Sequence, residues 1–369
     1  MKILVTGANG FLGRNLIAEL RNNGYSEIFE LTRDSNSEQF ATYTKECDFV
    51  FHLAGVNRPR DEEEFMKGNA DLTSELLTML RKHHNEAPVL VTSSIQAELD
   101  NPYGKSKKVA EDFVVQYAHL TDAKVYVYRL PNLFGKWSKP NYNSVVATFC
   151  HNISRDIEIK INDPSAELTL CYIDDVVDEF MRALEGSPTS SSDFYTVPVT
   201  HRIRIGELAD LLSSFKDSRQ DLLIPNMEDT LTKALYSTYL SFLPEDQFSY
   251  ELTMHSDHRG SFTEFLRSTE RGQVSVNVSK PGITKGDHWH HTKTEKFLVV
   301  SGEGLIRFRR MDSHKVIEYA VSGEKFQPID IPPGYTHSIM NTGESDLVTV
   351  MWANECFDPE NPDTYFLEV

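Results

Sequence analysis

Two groups of residues, far apart in the chain, have types and spacings suited to chemistry. Tyr103 and Lys107 lie four apart at the start of a helix-like run, so their side chains share a face. A lysine ammonium beside a phenol favours the phenolate, which allows Tyr103 to exchange a proton with a carbonyl or carbinol oxygen near neutral pH. Near the N-terminus, Gly7, Gly10 and Gly13 stand at GxxGxxG spacing between a strand and a helix. Glycine lets backbone turn tightly and approach a pyrophosphate seated at the helix N-terminus. Near the other end, His288 and His290 alternate in a β-rich run and therefore project together, and Glu295 and His337 can complete an N₃O metal shell. Zn(II) suits a non-redox task in such a shell, with Fe, Mn or Ni left open. A nucleotide-cofactor site and a metal site on one polypeptide fit consecutive steps on one substrate, because tethering raises the effective concentration of one site near the other.

The elements that must position these residues are legible. Short β-rich runs at 2–5, 28–32, 49–53, 89–92 and 125–129 alternate with helix-like stretches, the pattern of βαβ units and a parallel doubly wound sheet. Past about residue 245 the texture changes to runs such as 274–278, 296–300, 305–309 and 347–352, punctuated by Gly and Pro, which predicts an antiparallel sandwich or barrel. The expected domains are 1–243, an α/β Rossmann-type unit, and 244–369, all-β. A serine-rich patch at 187–192 reads as a surface loop.

A formal net charge of −18 argues against a nucleic-acid partner, which needs a positive face to displace counterions. No apolar run approaches the roughly 18 residues of a bilayer span, so membrane insertion is not expected. The first residues read as a strand entering the glycine loop rather than as a signal peptide. Cys47, Cys150, Cys171 and Cys356 are scattered without CxxC spacing and are expected as free thiols in the cytoplasm.

The glycine trio and Tyr103/Lys107, together with the runs Asp48 to Gly55 and Tyr172 to Val177, resemble the extended short-chain dehydrogenases/reductases that act on nucleotide sugars. That resemblance implies cofactor contacts from Gly7, Asn9, Gly10, Phe11, Leu12 and Gly13, from Thr32 and Arg33, from Asp48, from Leu53, Ala54 and Gly55, and from Tyr103 and Lys107. Arg33, at the end of the second strand, favours the 2′-phosphate of NADPH, whereas Asp34 beside it keeps NAD open. The family's catalytic hydroxyl maps onto Ser94, with Ser93 as fallback, and Asn132 onto a substrate-side loop. Dehydratases of the family carry an Asp-Glu pair after that hydroxyl; Ile95 and Gln96 stand there, which favours hydride transfer over elimination.

The second group, with Gly302 and the run Pro332 to His337, resembles both motifs of the cupins, jelly-roll barrels. Asp257 to Glu264 and Asn277 to His288 further resemble the nucleotide-sugar 3,5-epimerase branch. There the residues matching Arg259, Phe262 and Glu264 hold the nucleotide sugar, and the one matching His288 is a general base. His288 is thus claimed both as ligand and as base, and a metal-bound nitrogen has no lone pair for a proton. His291 and Tyr335 are candidate proton carriers, with a packed or rim position the favoured reading for both. Abstraction of a sugar C–H requires an adjacent ketone whose developing enolate is stabilised by a cation or a hydrogen-bond donor.

The order reductase, then epimerase-like cupin, is similar to a bifunctional capsular polysaccharide and O-antigen biosynthesis family. The resemblance implies a UDP-sugar substrate, a homodimer and two steps toward UDP-N-acetyl-L-fucosamine. These are C3 epimerisation of UDP-2-acetamido-2,6-dideoxy-4-hexulose by the cupin and NADPH reduction of C4 to the L-talose sugar. The rival expectation is reduction alone, with the cupin a metal-stabilised binding or dimerisation module.

Overall fold

The computed structural model describes residues 1–191 and 194–369. By contacts the chain forms two compact units, one of Met1–Leu212 with Ala234–Pro244, the other of Ser213–Lys233 with Glu245–Val369.

In the first unit, β1 (Ile3–Thr6), β2 (Ile28–Leu31), β3 (Phe49–His52), β4 (Val89–Ser94) and β5 (Val125–Leu130) pair in parallel in the order β2-β1-β3-β4-β5. All four residues of β1 and of β3 are buried, and up to the terminal Thr6 and His52 these strands are apolar throughout rather than alternating. The pleat sorts them. Ile3, Val5, Phe49 and Phe51 face Leu16 and Leu20 of α1 (Phe11–Asn22), whereas Leu4, Val50, Val89 and Val91 pack in the cluster of Leu76 and Leu80. A small sheet of β10, β7 and β6 contains β6 (Asn132–Phe134), β7 (Glu167–Tyr172) and β10 (His201–Arg204). β8 (Ser190–Ser191) and β9 (Phe194–Tyr195) extend the main sheet. The serine-rich patch therefore runs into a strand, and residue 192 lies outside the described residues.

Strand order reverses at β1, between β2 and β3, and the crevice beyond the strand ends at such a switch point is where open α/β sheets bind ligands. Helix α2 (Ser37–Glu46) is closed by an Asn36 capping box. The short helix α3 (Glu63–Phe65) runs through a π-helical turn, Met66–Asp71, into α4 (Leu72–Lys82), and α5 (Pro102–Leu120) starts with Pro at its first position and an Asn101 cap.

The second unit is two antiparallel sheets. One, ordered β11-β12-β13-β20-β15-β18, contains β11 (Met254–Asp257), β12 (Gly260–Ser268), β13 (Gly272–Ser279), β15 (Glu295–Ser301), β18 (Ile329–Ile331) and β20 (Leu347–Ala353). The other, ordered β17-β16-β19-β14-β21, contains β14 (Thr284–Trp289), β16 (Glu303–Arg310), β17 (Val316–Ser322), β19 (Tyr335–Asn341) and β21 (Tyr365–Phe366). Phe297, Val299, Ile306, Phe308, Ile339 and Leu347 form the core between them. The expected α/β Rossmann-like unit followed by an all-β barrel is present. No helix among the described residues is long and apolar enough to cross a membrane. All four cysteines are free, three of them buried.

Gly13 sits in the first turn of α1, where an added Cβ would lie 2.4 Å from the Gly7 carbonyl oxygen and 2.8 Å from that of Ala8. Both neighbours are backbone and cannot swing away. Gly13→Ala is expected to lower stability by about 1–3 kcal/mol, the usual range for overpacking, and to weaken binding of the dinucleotide expected at this loop, as read by urea unfolding and cofactor fluorescence.

Candidate functional site

Four-residue strands β1 and β3 end side by side, and their following loops meet at the crevice. Gly7 has φ +69°, and a Cβ there would come within 2.8 Å of the Ala54 amide nitrogen. A bulkier residue would part the two loops. Gly10 donates its amide to the Gly7 carbonyl at 2.8 Å, closing the turn onto α1. Gly7, Gly10, Gly13, Leu53, Ala54 and Gly55 are thus brought together, with Asn9, Phe11 and Leu12 in the same turn. Thr32 follows β2 and accepts the Asp34 amide at 3.2 Å, and Arg33 is exposed without an ion-pair partner among the described residues. Asp48 is not brought to this crevice. It precedes β3, at the opposite ends of the parallel strands, where its carboxylate accepts the Lys2 amide at 2.7 Å. The motif that contains Asp48 spans a whole strand, and only its last three residues reach the cofactor end.

Tyr103 and Lys107 project from the first turns of α5. Tyr103 shares a hydrogen bond with Ser94, and burial raises its phenol pKa against that bond's opposing pull. The phenol is therefore protonated at neutral pH, not the phenolate expected from the lysine alone. The geometry gives the reason: Lys107 Nζ is 6.0 Å from the ring centroid and donates to the Thr92 carbonyl at 3.1 Å. Burial pushes the Lys107 ammonium down to about 8, partly offset by Glu111. Ser93 donates to Glu111 at 2.6 Å, so of the two serines it is Ser94 that faces the phenol.

Thr6, His52, Thr73, Asn69 and Ser106 link these parts. The Thr6 hydroxyl accepts the Ala54 amide at 3.1 Å and meets His52 Nδ1 at 2.8 Å, while His52 Nε2 meets the Thr73 hydroxyl at 2.9 Å. Thr73 donates to the Asn69 carbonyl at 2.6 Å, so Nε2 carries the ring proton and the Thr6 hydroxyl donates to Nδ1. Burial and Lys107 push His52 down to about 3. Asn69, inside the π-helical turn, donates to Ser106 at 2.9 Å, and Ser106 donates to the Tyr103 carbonyl at 2.7 Å. Tyr142 also raises the Tyr103 phenol pKa electrostatically, and nothing in its surrounding sequence marks it.

In the second unit, Asp287 adopts φ +57° and the β14/β19 register shifts between Gly286 and His288, a bulge that sets His288 directly opposite His337. Glu295 opens β15 in the facing sheet. One donor atom from each of His288, His290, Glu295 and His337 lies within 4.8 Å of the others. His290 Nδ1 lies 2.6 Å from the Asp363 carbonyl and must donate there, which turns the Nε2 lone pair of a neutral ring toward Glu295 Oε2 at 3.3 Å. His337 Nε2 comes within 3.2 Å of the same oxygen, yet among the described residues neither of its buried ring nitrogens has a partner in hydrogen-bond geometry. Burial alone would raise the Glu295 pKa, but the two imidazoles hold it well below the usual carboxylate range. Burial and His337 push His288 down to about 4. For His290, burial works against a charge, and the bonds to Glu295 and to the Asp363 carbonyl outweigh it and raise the pKa. Lone pairs and a carboxylate that converge in a buried pocket make a donor set for a divalent cation.

The expected substrate residues are more dispersed. Arg259 is exposed and bonds Asp257 within its own turn at 2.7 and 3.0 Å. Phe262 and Glu264 are half-buried on β12, and Glu264 lines a cleft of about 470 Å³ with Arg219, Glu251, His255 and Arg267. Asn132 is exposed on β6, and its side-chain amide donates to the Thr169 carbonyl at 3.3 Å. The His291 ring packs on Trp289 and Tyr365, with centroids at 4.5 and 5.0 Å.

Residues 3–195 match the NAD dependent epimerase/dehydratase family, and residues 255–365 match the Polysaccharide biosynthesis C-terminal domain. The chain is 50% identical over 369 residues to UDP-2-acetamido-2,6-beta-L-arabino-hexul-4-ose reductase of Pseudomonas aeruginosa, covering 100% of this chain and 99% of that protein. It is 28% identical over 123 residues to the spore coat polysaccharide biosynthesis protein SpsL of Bacillus subtilis, covering 31% of this chain and 82% of that one. The crystal structure of the capsular polysaccharide assembling protein CapF from Staphylococcus aureus matches with a TM-score of 0.95 and 54% identity, covering 100% of both chains. The chain therefore belongs to the NAD dependent epimerase/dehydratase family, in the two-domain form that ends in a polysaccharide biosynthesis C-terminal domain and has the fold of CapF.

Proposed function

We propose that this chain is a two-step nucleotide-sugar enzyme of capsule or O-antigen biosynthesis. The cupin, from residue 244 on, epimerises C3 of UDP-2-acetamido-2,6-dideoxy-4-hexulose, and the unit before it reduces the C4 ketone to the L-talose sugar. The reductase half rests on one observation above all, the protonated Tyr103 phenol bonded to Ser94 and backed by buried Lys107. The Pseudomonas aeruginosa relative, a UDP-hexulose reductase by name and 50% identical over the full chain, supports the substrate class.

NADPH, when bound along the glycine loop, supplies the hydride that reaches C4, with Arg33 the candidate partner of its 2′-phosphate. Tyr103 gives its proton to the C4 oxygen, Ser94 orients that oxygen, and the Lys107 ammonium stabilises the phenolate left behind. A divalent cation, Zn(II) by preference, would be held by His288, His290, Glu295 and His337 and would polarise the ketone for loss of the C3 proton. With His288 among its ligands, the C3 proton must pass to another group, for which His291 and Tyr335 are the candidates, and inversion is completed by a proton returned to the opposite face. A homodimer and a site away from membranes and nucleic acid complete the proposal.

A reductase with a non-catalytic cupin is the second reading. The placement of Arg259 favours it, since that side chain is spent on Asp257 rather than lining the Glu264 cleft.

NMR of the 4-keto substrate in D₂O without NADPH separates the two. The intact chain should place deuterium at C3, and His337→Ala should not, while both oxidise NADPH with pre-epimerised substrate. Absence of exchange with the intact chain, alongside NADPH oxidation, leaves reduction as the only activity. Tyr103→Phe should lower kcat for reduction roughly 10²–10⁴-fold with little change in KM. Lys107 holds its charge below about pH 8 and loses it above, so kcat should fall as pH rises through that value, and Lys107→Met should abolish the limb. In thermal melts, Zn(II) at 100 times its Kd should stabilise the chain by about 2.7 kcal/mol, an effect that Glu295→Ala removes.

A further inference from the structure

The last residues of the chain are built into the wall of the imidazole cluster. Asp363 has φ +38°, and its carboxylate accepts the backbone amides of His291, Thr292 and Lys293 at 2.9, 2.8 and 2.8 Å and the Thr292 hydroxyl at 3.2 Å. Its own carbonyl takes the His290 Nδ1 proton at 2.6 Å. A non-glycine residue persists in that backbone region only where its surroundings over-determine it, and here both ends of one residue are claimed. The neighbouring residues are tied as well. Buried Lys293 donates to the Pro362 carbonyl at 2.6 Å, β21 pairs with β14 at His288↔Phe366 and Trp289↔Tyr365, and the Leu367 amide donates to the Asp287 carbonyl at 2.9 Å. The Thr336 hydroxyl, one residue before His337, donates to the Leu367 carbonyl. The segment 362–367 thus grips the backbone beside three of the four candidate ligands.

We propose that Asp363 is a positioning residue for the cation site and that the C-terminal segment is its outer shell, an inference that rests on the metal reading above. The Asp363 carbonyl holds His290 Nδ1, which aims Nε2 inward at the cluster. The carboxylate freezes the loop 291–293 that links His290 to Glu295. Partners that orient a ligating imidazole in this way commonly set metal affinity by 10–100-fold. Loss of the carboxylate frees three amides and lets the loop relax, so the carbonyl drifts from His290 even though it is chemically unchanged.

Full-length protein stripped with chelator and titrated with Co(II), followed by visible d–d absorption, tests this. The intact chain should take one equivalent. Asp363→Ala, and a chain ending at Pro362, should bind roughly 10–100-fold more weakly with an altered spectrum, and Asp363→Asn, whose amide oxygen still accepts, should recover part of both. Asp346→Ala, which removes an exposed pair with Lys280, should bind as the intact chain does. If Asp363→Ala matches the intact chain in affinity and spectrum, or Asp346→Ala weakens binding equally, the positioning role is overturned. If the intact chain itself takes up no cobalt, the metal reading falls first and this inference with it.

Discussion

The chemistry of the first unit depends on one requirement, that the polar groups buried where β1, β3, α4 and α5 converge must all find partners in one another. An unsatisfied buried donor or acceptor costs about 1–3 kcal/mol, so the relay from Thr6 through His52, Thr73, Asn69 and Ser106 to the Tyr103 carbonyl admits few arrangements. One end of it holds the Ala54 amide against the glycine loop, and the other holds the start of the helix that carries Tyr103 and Lys107. The crevice beyond β1 and β3 and the start of the Tyr103 helix are therefore parts of one hydrogen-bonded frame. The π-helical turn around Asn69 is consistent with this, since such turns interrupt helices where function requires a side chain out of its regular position.

The second unit meets a similar demand with the opposite polarity. Glu295 brings a carboxylate from one sheet into a pocket of imidazoles supplied by the other. A buried charge with too little opposite charge around it is expensive, and protonated histidines or a cation are the ways to offset it. The Asp363 carbonyl turns one imidazole nitrogen, Nε2 of His290, inward toward that carboxylate. The cluster thereby links the two sheets through polar side chains beside their apolar core.

Much of this could be read from the residues in order. The parallel strands were legible because burial on both faces leaves continuous apolar runs, and the glycine spacing, Tyr103/Lys107 and the four-residue metal set carry their own periodicities. Asp48 misled because motif membership says nothing about which end of a strand a residue occupies. The phenol's protonation state also escaped. A helical spacing of four puts Lys107 on the same face as Tyr103, but only packing reveals that the ammonium turns to the Thr92 carbonyl. His52 lies inside the run Asp48 to Gly55, but its partners Thr6 and Thr73 are remote in sequence, so its spacing carries no sign of a role. Asp363 had no local signal at all, being 73 residues from the ring it orients.

The chain enters each compact unit twice, Met1–Leu212 and Ala234–Pro244 in one, Ser213–Lys233 and Glu245–Val369 in the other. A cut after 212 deprives the first unit of its closing segment, and a cut after 244 deprives the second of residues 213–233. No single crossover in a gene could therefore transplant either unit whole onto another protein. The units are thus interleaved along the chain, and any single cut takes from one a segment that it leaves with the other.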